Sequence, residues 1–525
     1  MSTKFALRTI ALALAGSVLV FLLVGQLLAD HWEVASARTV AAPPAAIAPL
    51  VRDLGRWADW SAVDFELGMP TARRVVGEPG AVGQRAVWQG PIGEATLALT
   101  AVADDRVDYE IRYPEQCDSV GKRAASLMSS APAAPVYLSL PKEPLTERLP
   151  DGFAPAPVAP PATPAAPDPA AIAQLARWIA EARAPVVLCQ RGDPQGRVGA
   201  LLSQAAARFG LAVAEPFSIR NVLATSDPAL VGYDPKAAMA GADLVIVLDS
   251  GVPWIAAGSP PPDGAKVVHI GPDPLFRRMP IRGYRADLAI TADPVLILEY
   301  LLDQIIAGRS ETRATHVEAK RAAFLATRDK GASTGTPMSA EWMSRCVSDI
   351  MDTTAVAFTE LGLLLPEMNL KGPNRVFSNV HAGGLGWAMP AALGAQLADR
   401  DRLVIACMGD GSYMFANPVA CHQIAEALDL PILTIVKNNA MWNAVRRSVL
   451  RGYPDGAAAR MNQVPLTSLE PLPNFTMIAR ASRAHAERVD RAEDLPAALA
   501  RAVEVIRTER RHVLLDLTVE ATDTH

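Results

Sequence analysis

Leu403-Val404-Ile405-Ala406-Cys407-Met408-Gly409-Asp410-Gly411-Ser412 is the stretch that decides the fold. It opens on an unbroken apolar run, as a strand buried on both faces of a parallel sheet requires. The run leads straight into a glycine-flanked aspartate. A helix is expected next, over Pro418–Leu428, and then a second apolar strand, Ile432–Val436, ending at Lys437-Asn438-Asn439. Strand, helix and strand read as one βαβ unit with polar residues at the carboxyl ends of both strands. In open α/β sheets that edge is where ligands bind. Adjacent strands would bring Asp410 and Asn439 together although they are distant in sequence.

The residue types suit a magnesium ion holding a diphosphate. Mg²⁺ takes about six oxygens in octahedral geometry. Asp410 offers a charged carboxylate, Asn439 an amide oxygen and Met441 its backbone carbonyl. Diphosphate oxygens and a water would complete the shell. Gly409 and Gly411 are expected to let the backbone approach phosphate without a Cβ in the way. Ser412 can donate to a phosphate oxygen, and its N–H lies near a helix start. A Gly-Asp-Gly alone is more often a turn than a site; its pairing with Asn438-Asn439 after the next strand makes it specific.

Gly409-Asp410-Gly411 through Asn438-Asn439 resembles the thiamine-diphosphate signature. Gly383-Gly384-Leu385-Gly386-Trp387-Ala388-Met389-Pro390-Ala391-Ala392-Leu393-Gly394 resembles the matching loop of the benzoylformate decarboxylase and acetolactate synthase family. Residues 170–310, with Val267-Val268-His269-Ile270-Gly271-Pro272-Asp273-Pro274, resemble that family's central domain, and residues 335–525 its diphosphate-binding domain. The resemblance implies an α/β thiamine-diphosphate-binding fold, its parallel sheets flanked by helices. It implies thiamine diphosphate and Mg²⁺ as cofactors. The cofactor residues would be Gly384, Leu385, Gly386, Gly409, Asp410, Gly411, Ser412, Asn439, Met441 and Trp442, with Asp410, Asn439 and Met441 on the metal. Leu385 would be the bulky apolar residue under the cofactor, and Trp442 stands where the family often has Tyr. The implied reaction is carbon–carbon cleavage or acyl transfer from a 2-oxo acid, in a homodimer or homotetramer. Thr359-Glu360-Leu361-Gly362 resembles the first loop of the diphosphate domain, with Leu363–Leu365 in place of the hydroxyl residues often found there. His381 reads as an exposed loop histidine or, less readily, a substrate contact; His422 reads as structural.

The preceding part of the chain does not follow that pattern. Residues 1–32 are expected to form a membrane anchor or signal segment. Thr9–Ala29 carries no formal charge and, at about 1.5 Å per residue, spans roughly the 30 Å hydrocarbon core. Lys4 and Arg8 precede it, which puts the N-terminus in the cytoplasm and the rest outside; the family would instead imply a cytoplasmic enzyme body. Residues 33–116 read as strand Glu33–Val40, helix Ala45–Leu54 and strands Gln84–Gln89, Ala95–Val102 and Arg106–Tyr113. With Arg56-Trp57-Ala58-Asp59-Trp60-Ser61 they resemble a partial helix-grip domain of the polyketide-cyclase-like (SRPBCC) type, Trp57 and Trp60 serving as core. Residues 117–150 resemble a remnant of the pyrimidine-binding domain, with a helix end at Lys122–Ser130 and a buried strand and exit loop over Ala134–Lys142. Residues 151–169 are a Pro-rich linker. Lys320–Lys330 reads as a charged linker helix.

The family's catalytic Glu belongs to the pyrimidine-binding domain. Glu94, Glu110 and Glu115 stand in a different context, so no catalytic residue is assigned. Two partial domains meeting near Tyr113–Gly121 suggest an in-frame fusion, whose activity would need a pyrimidine-domain partner. The alternative is a non-catalytic, membrane-anchored cofactor-binding fusion protein; a helix-grip ligand carrier is a third reading, disfavoured because its cavity is incomplete.

Composition bounds these readings. In 525 residues, 50% are hydrophobic and 20% charged, which excludes a wholly disordered chain. A net charge of −5 and no dense Lys/Arg run argue against a nucleic-acid binder. Five cysteines with no C-x-x-C spacing fit reduced thiols better than zinc ligands or a dithiol.

Overall fold

The computed structural model describes residues 52–59, 74–90, 93–102, 107–112, 117–134, 136–139 and 160–522, apart from 278, 280–281, 305–309, 329–333, 380, 382 and 462. The anchor expected at Thr9–Ala29 and the strand expected at Glu33–Val40 lie outside these residues. Among the described residues no helix is long and apolar enough to cross a membrane. The chain divides into two compact units, residues 1–125 with 137–159 and residues 126–136 with 160–525.

In the first unit β1 (Arg74–Val76), β2 (Arg85–Gly90), β3 (Gly93–Val102) and β4 (Val107–Arg112) form an antiparallel meander in sequence order. The alternating runs expected from sequence are β2 to β4. Ala86, Val87, Leu97 and Leu99 are buried with Leu54 of the preceding 3₁₀ turn. Gln84 ties that turn to the sheet: its Oε1 accepts from Leu54 N at 3.1 Å and its Nε2 donates to Asp53 at 2.7 Å. Helix α1 (Cys117–Ser129) follows. The buried strand expected at Ala134–Lys142 does not form. The described residues there are neither strand nor buried, and Tyr137 is 93% exposed. An apolar run alone does not make a strand; it needs a neighbour to pair its N–H and C=O groups.

The second unit holds two doubly wound parallel sheets. The first is built from α2 (Pro169–Glu181), β5 (Pro185–Cys189), α3 (Arg197–Phe209), β6 (Ala212–Ala214), β7 (Leu230–Gly232), α4 (Pro235–Met239), β8 (Leu244–Leu248), β9 (Lys266–Gly271), β10 (Leu288–Thr291) and α5 (Pro294–Gln304). Its strand order is β10-β9-β8-β5-β6-β7. β5 and β8 are buried at every residue, as their continuous apolar runs require.

Helix α6 (Glu311–Arg328) corrects the linker expected at Lys320–Lys330. It is docked on the first sheet through its charges. Arg313, 5% exposed, donates to Ala180 O, Ala182 O and Phe209 O, the open carbonyls at the ends of α2 and α3. Lys320 donates to Ala237 O and Ala240 O at the end of α4. A polar sequence therefore packs by capping helices as well as by burying Val317 in the apolar core.

The second sheet uses α7 (Ala340–Ile350), β11 (Val356–Glu360), β12 (Val376–Ser378), α8 (Ala388–Ala398), β13 (Val404–Gly409), α9 (Asp410–Phe415), α10 (Pro418–Ala427), β14 (Leu433–Asn438), α11 (Asn443–Gly452), α12 (Phe475–Arg480), β15 (His485–Val489), α13 (Leu495–Glu509) and β16 (Val513–Thr518). The order is β12-β11-β13-β14-β16-β15, all parallel. Apolar residues of β11, β13 and β14 alternate between two cores, one against α7 and α13, the other against α8 and α10.

The loop after β6 locks the two sheets together. Glu215 accepts from Val222 N and Leu223 N at 3.0 and 2.7 Å, which fixes the loop. Burial pushes its carboxyl up to about 7 against those hydrogen bonds. Asn221 of the loop accepts from Arg375 N and Val376 N and donates to Gly372 O.

His422 and His512 stack beneath the second sheet with ring centroids 5.2 Å apart, and Tyr413 Oη lies 2.8 Å from His422 Nε2. This bears out the structural reading of His422. Burial pushes His422 down to about 3 and His512 down to about 4, from an ordinary 6.5. Both stay neutral in the folded chain, whereas the unfolded chain takes up protons near pH 6.5. Their contribution is present above that pH and is lost as pH falls toward 4, with a slope of about 1.4 kcal/mol per pH unit for one such site. Glu215 acts in the opposite sense over pH 4.5–7. The histidine share is therefore read as a difference. Thermal melts from pH 7 to 4.5 should show a steeper acid loss for the wild type than for a His422→Gln/His512→Gln double variant.

Candidate functional site

The chain runs from β11 to β12 on one side of the second sheet and returns to β13 on the other. The crevice this opens lies at the carboxyl ends of β11 and β13, where such sheets bind ligands. Glu360 pairs with Met408 and Gly409 with Lys437, so β11, β13 and β14 end side by side. A cavity of about 610 Å³ sits at this edge. Its lining includes Leu361, Leu363 and Leu364 after β11, Gly383 and Leu385 before α8, Gly409–Ser412, and Lys437, Asn439, Met441 and Trp442. α11 adds Asn443, Arg447 and Ser448.

Asp410 and Asn439 do meet. Asp410 Oδ2 accepts from Asn439 N at 3.1 Å, and Oδ1 from Gly411 N at 2.8 Å. These bonds aim the carboxylate, while burial raises its pKa despite them. A buried carboxylate disfavoured in this way is relieved by a cation. Asn439 Oδ1 accepts from Met441 N at 3.3 Å and keeps a second lone pair. Among the described residues no three His, Cys, Asp or Glu side chains converge. One carboxylate, one amide and one carbonyl suit a hard cation that completes its shell with ligand and water oxygens.

The glycines divide by role. A Cβ on Gly409 would meet nothing closer than Ser412 Oγ at 3.9 Å, so that position is open as expected. Gly411 has another reason: its Cβ would lie 2.1 Å from the Trp442 ring, which covers it. That contact alone requires glycine at position 411. Gly386 has φ +89 and faces the Phe415 carbonyl, which a Cβ would meet at 2.6 Å. Leu385 lines the cavity and is 36% exposed. Gly384 and Gly386 belong to the same loop but not to the lining.

Two residues quoted in the sequence motifs were given no role there. Glu360 is fully buried and holds the Leu385 loop. Its Oε1 accepts from Gly386 N at 2.7 Å, and its Oε2 from Trp387 N at 2.6 Å and Ala388 N at 3.1 Å. A carboxylate at the N-terminus of α8 is also favoured by the helix dipole. Lys437 lies one residue before the end of β14 and lines the cavity; burial lowers its pKa, while Cys407 and Asp410 are among the groups that oppose this. The signal for both is the one that found Asp410: a charged residue at the carboxyl end of an apolar strand.

His381 lies outside the lining. Its Nε2 is 3.3 Å from Gln190 Oε1, and its ring meets Phe217 edge-on. Of the cysteines, Cys189, Cys346, Cys407 and Cys421 are buried and free, as expected.

Strain sits beside the metal candidates. Ala440, between Asn439 and Met441, has φ 57, a left-handed conformation that costs an L-residue roughly 1 kcal/mol. Ala440→Gly should raise stability by about 0.5 kcal/mol, strain relief outweighing the extra freedom of the unfolded chain. Denaturant unfolding checks this; a loss would mean that the neighbouring hydrogen bonds already offset the strain.

Residues 172–301 match the family model for the thiamine pyrophosphate enzyme central domain, and residues 364–517 that for the C-terminal TPP binding domain. A benzoylformate decarboxylase of Pseudomonas aeruginosa is 27% identical over 339 residues, covering 62% of this chain and 61% of its own length. An acetolactate synthase of Mycobacterium leprae is 24% identical over 473 residues, covering 85% of this chain and 73% of its own. The solved benzoylformate decarboxylase from Polynucleobacter necessarius superposes with a TM-score of 0.62 at 20% identity, covering 78% of this chain and 75% of that one. At that identity the likeness speaks for the fold. The chain spans about three fifths of the length of the Pseudomonas relative.

Proposed function

We propose that this chain, which carries the central and C-terminal TPP-binding domains of thiamine pyrophosphate enzymes and is homologous to benzoylformate decarboxylase and acetolactate synthase, binds thiamine diphosphate through Mg²⁺ and acts on a 2-oxo acid. The observation that carries this reading is the meeting of Asp410 and Asn439 at the edge of the cavity. Asp410, Asn439 Oδ1 and the Met441 carbonyl would hold the metal. Thiamine diphosphate supplies an acidic carbon and an electron sink, which let a bond next to a carbonyl be cleaved or formed. The chain's own residues bind and orient. Leu385 and Trp442 wall the cavity with apolar surface, and Glu360 fixes the loop that presents Leu385. Residues of α9 and α11 line the cavity at the carboxyl edge. A 2-oxo acid is the substrate class because its carbonyl is the electrophile such a cofactor activates.

Calorimetric titration with thiamine diphosphate, with and without Mg²⁺, tests the binding, and NMR of C2-proton exchange tests the chemistry. Mg²⁺-dependent binding with accelerated exchange is expected. Absence of Mg²⁺-dependent binding would sink the reading. Binding without exchange would favour the second reading, a non-catalytic membrane-anchored cofactor binder; what motivates it is the uncharged Thr9–Ala29 segment and the lack of an assigned catalytic Glu.

A further inference from the structure

The wall of the cavity after β11 is poorly equipped to meet an anion. Leu361, Leu363 and Leu364 present apolar side chains there. Two of its amides are already engaged: Leu363 N donates to Thr359 Oγ1 at 2.8 Å and Leu364 N to Ser344 Oγ at 2.9 Å. The lining also carries Asp410, a negative charge. A diphosphate joined through one divalent cation to one carboxylate leaves an excess of negative charge in a partly desolvated space. Such an excess is stable only if cations offset it.

Among the described residues the cavity lining holds two cations, Arg447 on α11 and Lys437 on β14. Lys437 is the better placed for a direct contact. It pairs with Gly409 across β13 and β14, and Gly409 has no side chain, so the space beside the lysine stays open. The groups whose field favours its charge are Cys407, Asp410 and Glu341, Arg447 opposes it, and no hydrogen bond or ion pair to its ammonium occurs among the described residues. A half-buried ammonium facing a cavity is costly in the empty chain and is satisfied by an anion.

We propose that Lys437 is a positioning residue that donates to non-bridging oxygens of the diphosphate and supplies the counter-charge that the leucine wall lacks. The proposal rests on the reading of the cavity as a diphosphate site. It also accounts for a charged residue one position before the end of a largely apolar strand, where an apolar one would fold more readily.

The test is calorimetric titration of the full-length chain with thiamine diphosphate and Mg²⁺, using wild type, Lys437→Met, Lys437→Arg and Asp410→Ala, with melting of each protein without ligand. Lys437→Met should weaken binding by about 10- to 100-fold, as loss of one charge-assisted hydrogen bond does. Lys437→Arg should recover most of that loss. The wild-type affinity should fall more steeply with ionic strength than that of Lys437→Met, one counter-charge having been removed. Without ligand, Lys437→Met should melt no lower than wild type, since it relieves a desolvated cation. Affinity within about 2-fold of wild type for Lys437→Met, with Asp410→Ala unable to bind, would overturn the role of the lysine and leave the site standing. Unchanged binding by Asp410→Ala would overturn the site reading itself. Loss of binding in both lysine variants with a matching drop in unliganded melting temperature would also overturn the proposal, the lysine then being structural.

Discussion

Asp410→Ala abolishes Mg²⁺-dependent binding of thiamine diphosphate: that is the expected result with the largest effect on function. Asp410 is the one charged donor among the three metal candidates, and its carboxylate is aimed by the Gly411 and Asn439 amides. Changes to outer-shell groups at metal sites already cost about 10- to 100-fold in affinity. Loss of the charged ligand should exceed 100-fold. The fold should survive, because burial disfavours the ionised carboxylate in the metal-free chain. Asp410→Asn keeps an oxygen for one of the two amides and should melt close to wild type while binding as poorly as the alanine variant. Calorimetry with and without Mg²⁺, beside thermal melts, checks both halves. Tight Mg²⁺-dependent binding by either variant would place the metal elsewhere.

The part of this site that was legible in the sequence is the part written in local pattern. The continuous apolar runs of β13 and β14 announce parallel strands, and what stands at their ends announces the ligand edge. Asp410 and Asn439 can therefore be paired on local pattern alone, and the order of strands brings them together. The role of Gly411 was not legible, because its constraint comes from the Trp442 ring, which reaches it from a different strand's loop. Very short strands such as β6 and β12 were missed because three residues carry no period. The apolar run at Val136–Leu138 misled for the reverse reason: its pattern is locally that of a strand, but pairing is a tertiary fact. Helix α6 misled through its charges, which read as solvated and instead cap neighbouring helices.

Glu360 is the sharpest case, since it was in view as a loop resemblance while its function lay in backbone amides far along the chain. Glu360→Ala should therefore be the most destabilising single change in the site. It leaves the Gly386, Trp387 and Ala388 amides without their acceptor in a buried place. An unsatisfied buried donor costs about 1–3 kcal/mol, and these three share one carboxylate, so about 3–5 kcal/mol in total is expected. For a body of this size that lowers the melting temperature by roughly 5–10 °C. Glu360→Gln retains one oxygen acceptor and should lose about half as much. The functional consequence follows from geometry: the freed segment carries Leu385, and Gly386 is held at positive φ against the Phe415 carbonyl. Cofactor affinity should fall in Glu360→Ala even below the melting transition, where the chain is still folded. That separates it from Asp410→Ala, which loses affinity without losing stability. If Glu360→Ala melted like wild type and bound normally, the carboxylate would not be what shapes the loop. The site would then be organised by packing against Trp387 and Phe358 alone, whose rings lie 5.8 Å apart.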